Sequence, residues 1–162
     1  MPLSDMNLSE ALGEFKDRSP SGYAMGLHIK FTTPAYFFQS YPRAWLEYYS
    51  QAGLLLNDPT VSWCFENTGF QRWSDRDDPA GVLLREAEYG MAYGVSYATD
   101  TGGSLSMCGF TRPDREFNDA EIAELADRFE AMHVATQDQS ALPADTLEQL
   151  KKMSIMVTHP GS

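Results

Sequence analysis

The amino-acid sequence predicts an α+β fold, a sandwich with helices on both faces of an antiparallel sheet. Three observations carry this. Residues 23–31 alternate Tyr23, Met25, Leu27, Ile29 and Phe31 with Ala24, Gly26, His28 and Lys30, the period of a half-buried strand. Two further strand-like runs, 91–98 and 104–111, flank Asp100-Thr101-Gly102-Gly103 and read as a hairpin. Helical spacing governs the residues before the first strand and after the last.

The first helix follows from Leu8, Ala11, Leu12 and Phe15, with candidate caps at Ser4 and Ser9 and a stop at Ser19-Pro20-Ser21-Gly22. After the strand 23–31 and the break at Thr32-Thr33-Pro34, the apolar run 35–38 predicts a second strand. Pro42 suits a first helical turn, so a helix runs from there to about Ala52, stopped by Gly53. Asp58-Pro59 and Asp78-Pro79 repeat one device, an acid placed to cap a helix that begins on proline; each is expected to open a helix, the second ending near Gly90. The hairpin comes next. Asn118 with Glu121 then spells a capping box, Phe117 and Ile122 take the staple positions, and Ile122, Leu125, Phe129 and Met132 continue one face of a long last helix. Beyond Gln137 the chain turns polar, with a weak helical signal at Leu147 and Leu150. Residues 8–137 therefore form one domain and 138–162 a linker or tail.

Composition narrows the function. The 162 residues, 43% hydrophobic, suffice for one core. A net charge of -11, without a local Lys/Arg cluster, repels a phosphate backbone and argues against unaided nucleic-acid binding. Cys64 and Cys108 are too few and too far apart for a zinc site or a disulfide framework and read as buried thiols in a reducing compartment. No signal-peptide pattern and no apolar run of membrane-spanning length is present, so the expected location is the cytoplasm. No Gly-x-Ser-x-Gly elbow occurs, and His28, His133 and His159 lack metal spacing or a nucleophile partner, so no enzyme, no metal and no cofactor are expected. His28 and His133 read as surface or satisfied structural histidines.

One stretch carries ligand chemistry: Tyr41-Pro42-Arg43-Ala44-Trp45, Tyr49, Asp58-Pro59-Thr60-Val61 and Trp73. Trp45 and Tyr49 are four apart and share a helix face. An indole N–H and a phenol could each aim one polar atom into an apolar cavity, and Asp58 could accept from a ligand amide. Spacing alone is served at least as well by core aromatics and a helix cap.

The pattern Tyr-Pro-x-x-Trp-x-x-x-Tyr, then Asp-Pro-Thr-Val, a later Trp, Glu86-Ala87 and Gly90-Met91-Ala92-Tyr93-Gly94 resembles the autoinducer-binding domain of LuxR-type quorum-sensing regulators. The resemblance implies an α/β/α sandwich around a central five-stranded antiparallel sheet, with an N-acyl-homoserine lactone bound between the sheet and one helical layer. It assigns Trp45 to the lactone carbonyl, Asp58 to the ligand amide N–H, Tyr41 to the acyl-amide carbonyl and Trp73 to packing near the lactone ring. Thr60 adds a hydroxyl near the amide, while Tyr49, Val61, Cys64 and the strand residues around Leu27 and Met107 shape an acyl channel. An Asp58 without its ligand amide is expected to be a costly buried acceptor.

The chain departs from the family at three points. A strand position where relatives often carry a ligand-contacting hydroxyl falls on Gly109, between Cys108 and Phe110, so one hydrogen bond is expected to be missing. Tyr97-Ala98 stands where relatives commonly place proline. No helix-turn-helix domain follows in the sequence given. The expected function is a small-molecule sensor that controls quorum-sensing transcription, as a homodimer or with a LuxR-type partner. The alternative is a sensor lacking a DNA-binding domain that pairs with a full-length regulator and inhibits it. Phe129 and Met132 offer a candidate dimer face, with packing on the sheet as the competing use.

Overall fold

In a computed structural model, five antiparallel strands form one open sheet in the order β2-β1-β5-β4-β3. Residues 8–31, 33–138, 144, 145 and 148 are described. Ser4, Leu147, Leu150, His159 and nearly all of the predicted tail lie outside them.

The elements run α1 (Leu8–Arg18), β1 (Gly22–Lys30), β2 (Thr33–Gln39), α2 (Arg43–Gln51), a 3-10 turn Leu54–Asn57, α3 (Pro59–Glu66), β3 (Gly69–Arg72), a 3-10 turn Trp73–Asp75, α4 (Val82–Glu88), β4 (Tyr93–Thr99), β5 (Leu105–Arg112) and α5 (Asp119–Ala135). β4 and β5 form the expected hairpin, paired from Tyr93↔Arg112 to Thr99↔Ser106. The capping box at α5 is complete, with Asn118 Oδ1 accepting from the Glu121 amide at 2.8 Å and Glu121 Oε1 accepting from the Asn118 amide at 2.9 Å.

Side-chain size sorts the two faces of the sheet. On one, Tyr23, Met25, Leu27, Tyr36, Phe38, Val95, Cys108 and Phe110 join Leu12 and Phe15 of α1 and Ile122, Leu125, Phe129 and Met132 of α5 in a continuous core. Phe15 stacks on Phe110 with centroids 5.6 Å apart. Phe129 and Met132 are therefore used in packing on the sheet. On the other face the same strands present Ala24, Gly26, Ser96 and Gly109 towards α2 and α3.

Three local expectations are corrected. The β1 alternation stops short of Phe31, because the β1–β5 register shifts between Gly26 and Ile29 and leaves Phe31 97% exposed. His28 sits in that shift at φ 55, its ring nitrogens bonded to Ser104 Oγ, Thr136 Oγ1 and the His133 carbonyl, and stacks 4.6 Å from His133. The second acid-proline step does not begin α4. The segment from Asp78 closes as a turn, Gly81 N–H donating to the Asp78 carbonyl at 3.0 Å, and Gly81 at φ 73 leads into a helix starting at Val82. The Asp78 carboxylate still caps α4, accepting from the Val82 and Leu84 amides at 2.8 and 3.2 Å. β3 is absent from the predicted strands, because its four residues carry no period to detect.

Candidate functional site: a cavity under the α2–α3 layer

Small side chains on a sheet covered by aromatics leave a void. A cavity of about 670 Å³ lies between the sheet and the layer of α2, α3 and α4, within the range of small-molecule sites. Its floor is Ala24, Gly26, Ser96, Met107 and Gly109, and its roof comes from α2, α3 and the two 3-10 turns.

α2 brings Trp45 and Tyr49 inward from consecutive turns, and Trp45 is 1% exposed. Its ring is 5.6 Å from Tyr49 and 5.4 Å from Tyr89, so the indole is held on two sides. Asp58 caps α3 through the Thr60 amide at 3.0 Å and also accepts from Thr60 Oγ1 at 2.7 Å and Tyr49 Oη at 2.9 Å. The carboxylate expected to be unpartnered is thus satisfied and fixed in direction by the chain's own groups. Trp73 lies flat over Gly94, where an added Cβ would fall 2.1 Å from the ring. Its Nε1 donates to Ser96 Oγ at 2.9 Å, which makes the indole a wall. Gly109 faces the Tyr41 hydroxyl, 3.2 Å from where its Cβ would stand, so the hydroxyl of Tyr41 fills the space a larger residue would need.

No described residue hydrogen-bonds to Trp45 Nε1 or Tyr41 Oη, which leaves two donors in the cavity wall. Burial, then the charges of Glu86 and Asp58, pushes the Tyr41 hydroxyl well above the usual phenol range. Burial and the neighbouring Asp58 do the same to Tyr49. Burial pushes the Cys64 thiol up to about 12 and the Cys108 thiol well above its ordinary value, so neither is a reactive thiolate. Burial, with Asp58 and Asp78 adding to it, holds the Glu86 carboxyl well above the usual carboxylate range.

Tyr41, Trp45, Tyr49, Asp58, Thr60, Val61 and Trp73 all line this one cavity, as do Cys64 and Met107. Leu27 does not: it is wholly buried in the α1/α5 core, and its neighbours Met25 and Gly26 take the wall position. Spacing missed Ser96 and, as a wall group in its own right, Glu86. A signal existed for the second, since Glu86 follows Val82 by four residues and puts an acid on the buried side of α4. Among the described residues no His, Cys, Asp or Glu cluster is placed to hold a metal, and no helix is long and apolar enough to cross a membrane.

The model of a family described as the autoinducer binding domain matches residues 23–140. The transcriptional activator protein SolR of Ralstonia nicotianae is 27% identical over 108 residues, which is 64% of this chain and 46% of SolR. The chain thus spans less than half the length of that curated relative. Two solved structures share the fold. The N-acylhomoserine-lactone-dependent LuxR-family transcription factor CepR2 of Burkholderia cenocepacia superposes with a TM-score of 0.55 at 19% identity, over 80% of this chain and 93% of that one. Escherichia coli SdiA in complex with octanoyl-rac-glycerol gives 0.62 at 20% identity, over 86% and 64%.

Proposed function

The chain belongs to the autoinducer-binding domain family of LuxR-type regulators, and from that premise we propose that its cavity binds an N-acyl-homoserine lactone to control quorum-sensing transcription. The observation that carries the reading is the set of polar atoms at the Trp45 end of the cavity. Trp45 and Tyr41 offer unpartnered donors, and Asp58 is oriented beforehand by Tyr49 and Thr60. A ligand with two carbonyl oxygens and one amide N–H complements that set. In this reading Trp45 donates to the lactone carbonyl, Tyr41 donates to the acyl carbonyl, Asp58 accepts from the amide and Trp73 walls the ring. Tyr49, Val61, Cys64 and Met107 border the acyl chain, and Thr60 holds Asp58. Preorganisation of Asp58 lowers the ordering cost of binding. The regulatory output, through a homodimer or a LuxR-type partner, belongs to the same proposal.

Thermal-shift titration with N-acyl-homoserine lactones of increasing chain length tests it. Wild-type protein is expected to gain melting temperature with ligand. Asp58→Ala is expected to lose about 1 kcal/mol from the missing cap and to show no ligand response. A wild-type protein indifferent to every chain length, or an Asp58→Ala variant stabilised as strongly as wild type, contradicts the proposal.

A further inference from the structure

Glu86 is the one carboxyl among the buried polar groups left without a partner among the described residues. It is 3% exposed and lines the cavity on the inward side of α4. Its Oε2 is buried without a partner among the described residues, and no described residue donates to Oε1 either.

The groups facing it are the carboxylates of Asp58 and Asp78 and the hydroxyls of Tyr41 and Tyr49. No lysine lines the cavity, and the one arginine that does, Arg43, is 68% exposed and paired with Glu47 at 3.3 Å. A buried acid with two acids for neighbours and no cation beside it keeps its proton. It then has an O–H to give, unlike Asp58, which only accepts. A purely structural acid at this position would be expected to cap an amide or pair with a base, as Asp78 and Glu47 do nearby.

We propose that Glu86 is a further polar anchor of the ligand, donating its carboxylic O–H to an acceptor oxygen of the bound molecule. It selects acyl ligands that carry a carbonyl or hydroxyl oxygen at that point over those with only methylenes there. This rests on the sensor reading above and adds a specificity-determining residue to it.

Two measurements test it. The first needs no ligand: melting temperature from pH 5 to 8 for wild type and Glu86→Gln. The folded group titrates above its unfolded value of about 4.3, so its contribution is complete below that pH and is lost as pH rises. Glu86→Gln, neutral throughout, is expected to gain on wild type as pH rises above 5; parallel curves overturn the proposal. The second is calorimetry with N-(3-oxooctanoyl)-homoserine lactone, whose 3-oxygen supplies the acceptor, between pH 6 and 8. Glu86→Gln keeps a donor and is expected to bind within about 3-fold of wild type, and Glu86→Leu to bind about 10-fold more weakly. Wild-type binding by Glu86→Leu overturns the Glu86 proposal alone. Should Glu86→Leu fail to fold, a Glu86→Gln variant that loses as much affinity as an Asp58→Ala control overturns it instead. Absence of binding by wild type at every chain length overturns the sensor reading and this proposal together.

Discussion

Beneath α1 and α5 the strands present Tyr23, Met25, Tyr36, Phe38, Val95 and Phe110, which join both helices in one continuous core. Beneath α2 and α3 the same strands present Ala24, Gly26, Ser96 and Gly109, and a cavity of about 670 Å³ opens. Because side chains alternate along a strand, the two faces are written in one sequence with a period of two. The size of the residue at each alternate position decides whether a face is solid or hollow. The chemistry divides in the same way. The solid side carries its charges at the rim, where Arg18 meets Glu124 at 2.8 Å and Arg128 meets Glu14, while the hollow side encloses Asp58 and Glu86 in a cavity whose one basic lining residue is the exposed Arg43. The packed core lies on the first face and the proposed recognition site on the second.

The largest effect should come from the solid face. Phe129→Ala removes a fully buried ring and is expected to cost about 3–5 kcal/mol in urea denaturation. The folded fraction should bind ligand as before; a matching loss of affinity would break the division between the faces. Gly94→Ala attacks the hollow face with one methyl group. Its Cβ overlaps Trp73, so the indole must leave Ser96, at an expected cost of about 1–3 kcal/mol together with loss of ligand response. Tryptophan fluorescence reports the displaced ring, and an unchanged spectrum and affinity would contradict the packing described.

The smallest effect concerns pH, where the faces should respond with opposite signs. Burial and the facing His133 hold the His28 imidazole below its ordinary value, and the carboxylate of Glu130 lies on the same side of α5 as His133. The unfolded chain therefore takes the proton first, near pH 6.5, and the stability His28 contributes is present above that pH and lost as pH falls through it. On acidification from pH 7.5 to 5.5 the wild-type melting temperature should fall relative to that of His28→Gln. Parallel curves for the two proteins would remove His28 as a contributor. Glu86 acts in the reverse sense, losing stability as pH rises.

Much of the solid face was legible in the sequence because it is built from local periodicity. The α5 capping box and its four inward residues needed only spacing, and the large-small alternation of β1 already named both faces as far as Gly26. The rest was hidden where structure departs from period. The register shift at His28, the turn that delays α4 to Val82 and the four-residue β3 are set by tertiary pairing. The cavity residues were legible as a motif. Their arrangement was not, because Asp58's bonds to Tyr49 and Thr60, Trp73's bond to Ser96 and the isolation of Glu86 depend on elements distant in the chain.

Calorimetric titration of N-octanoyl-homoserine lactone into wild type and Trp45→Phe tests the central claim most directly, since the substitution keeps an aromatic ring, though a smaller one, on the roof and deletes the indole donor. The account predicts saturable one-to-one binding by wild type and about 5-fold weaker binding by Trp45→Phe. No heat with wild type at any chain length, or undiminished affinity in Trp45→Phe, would contradict it.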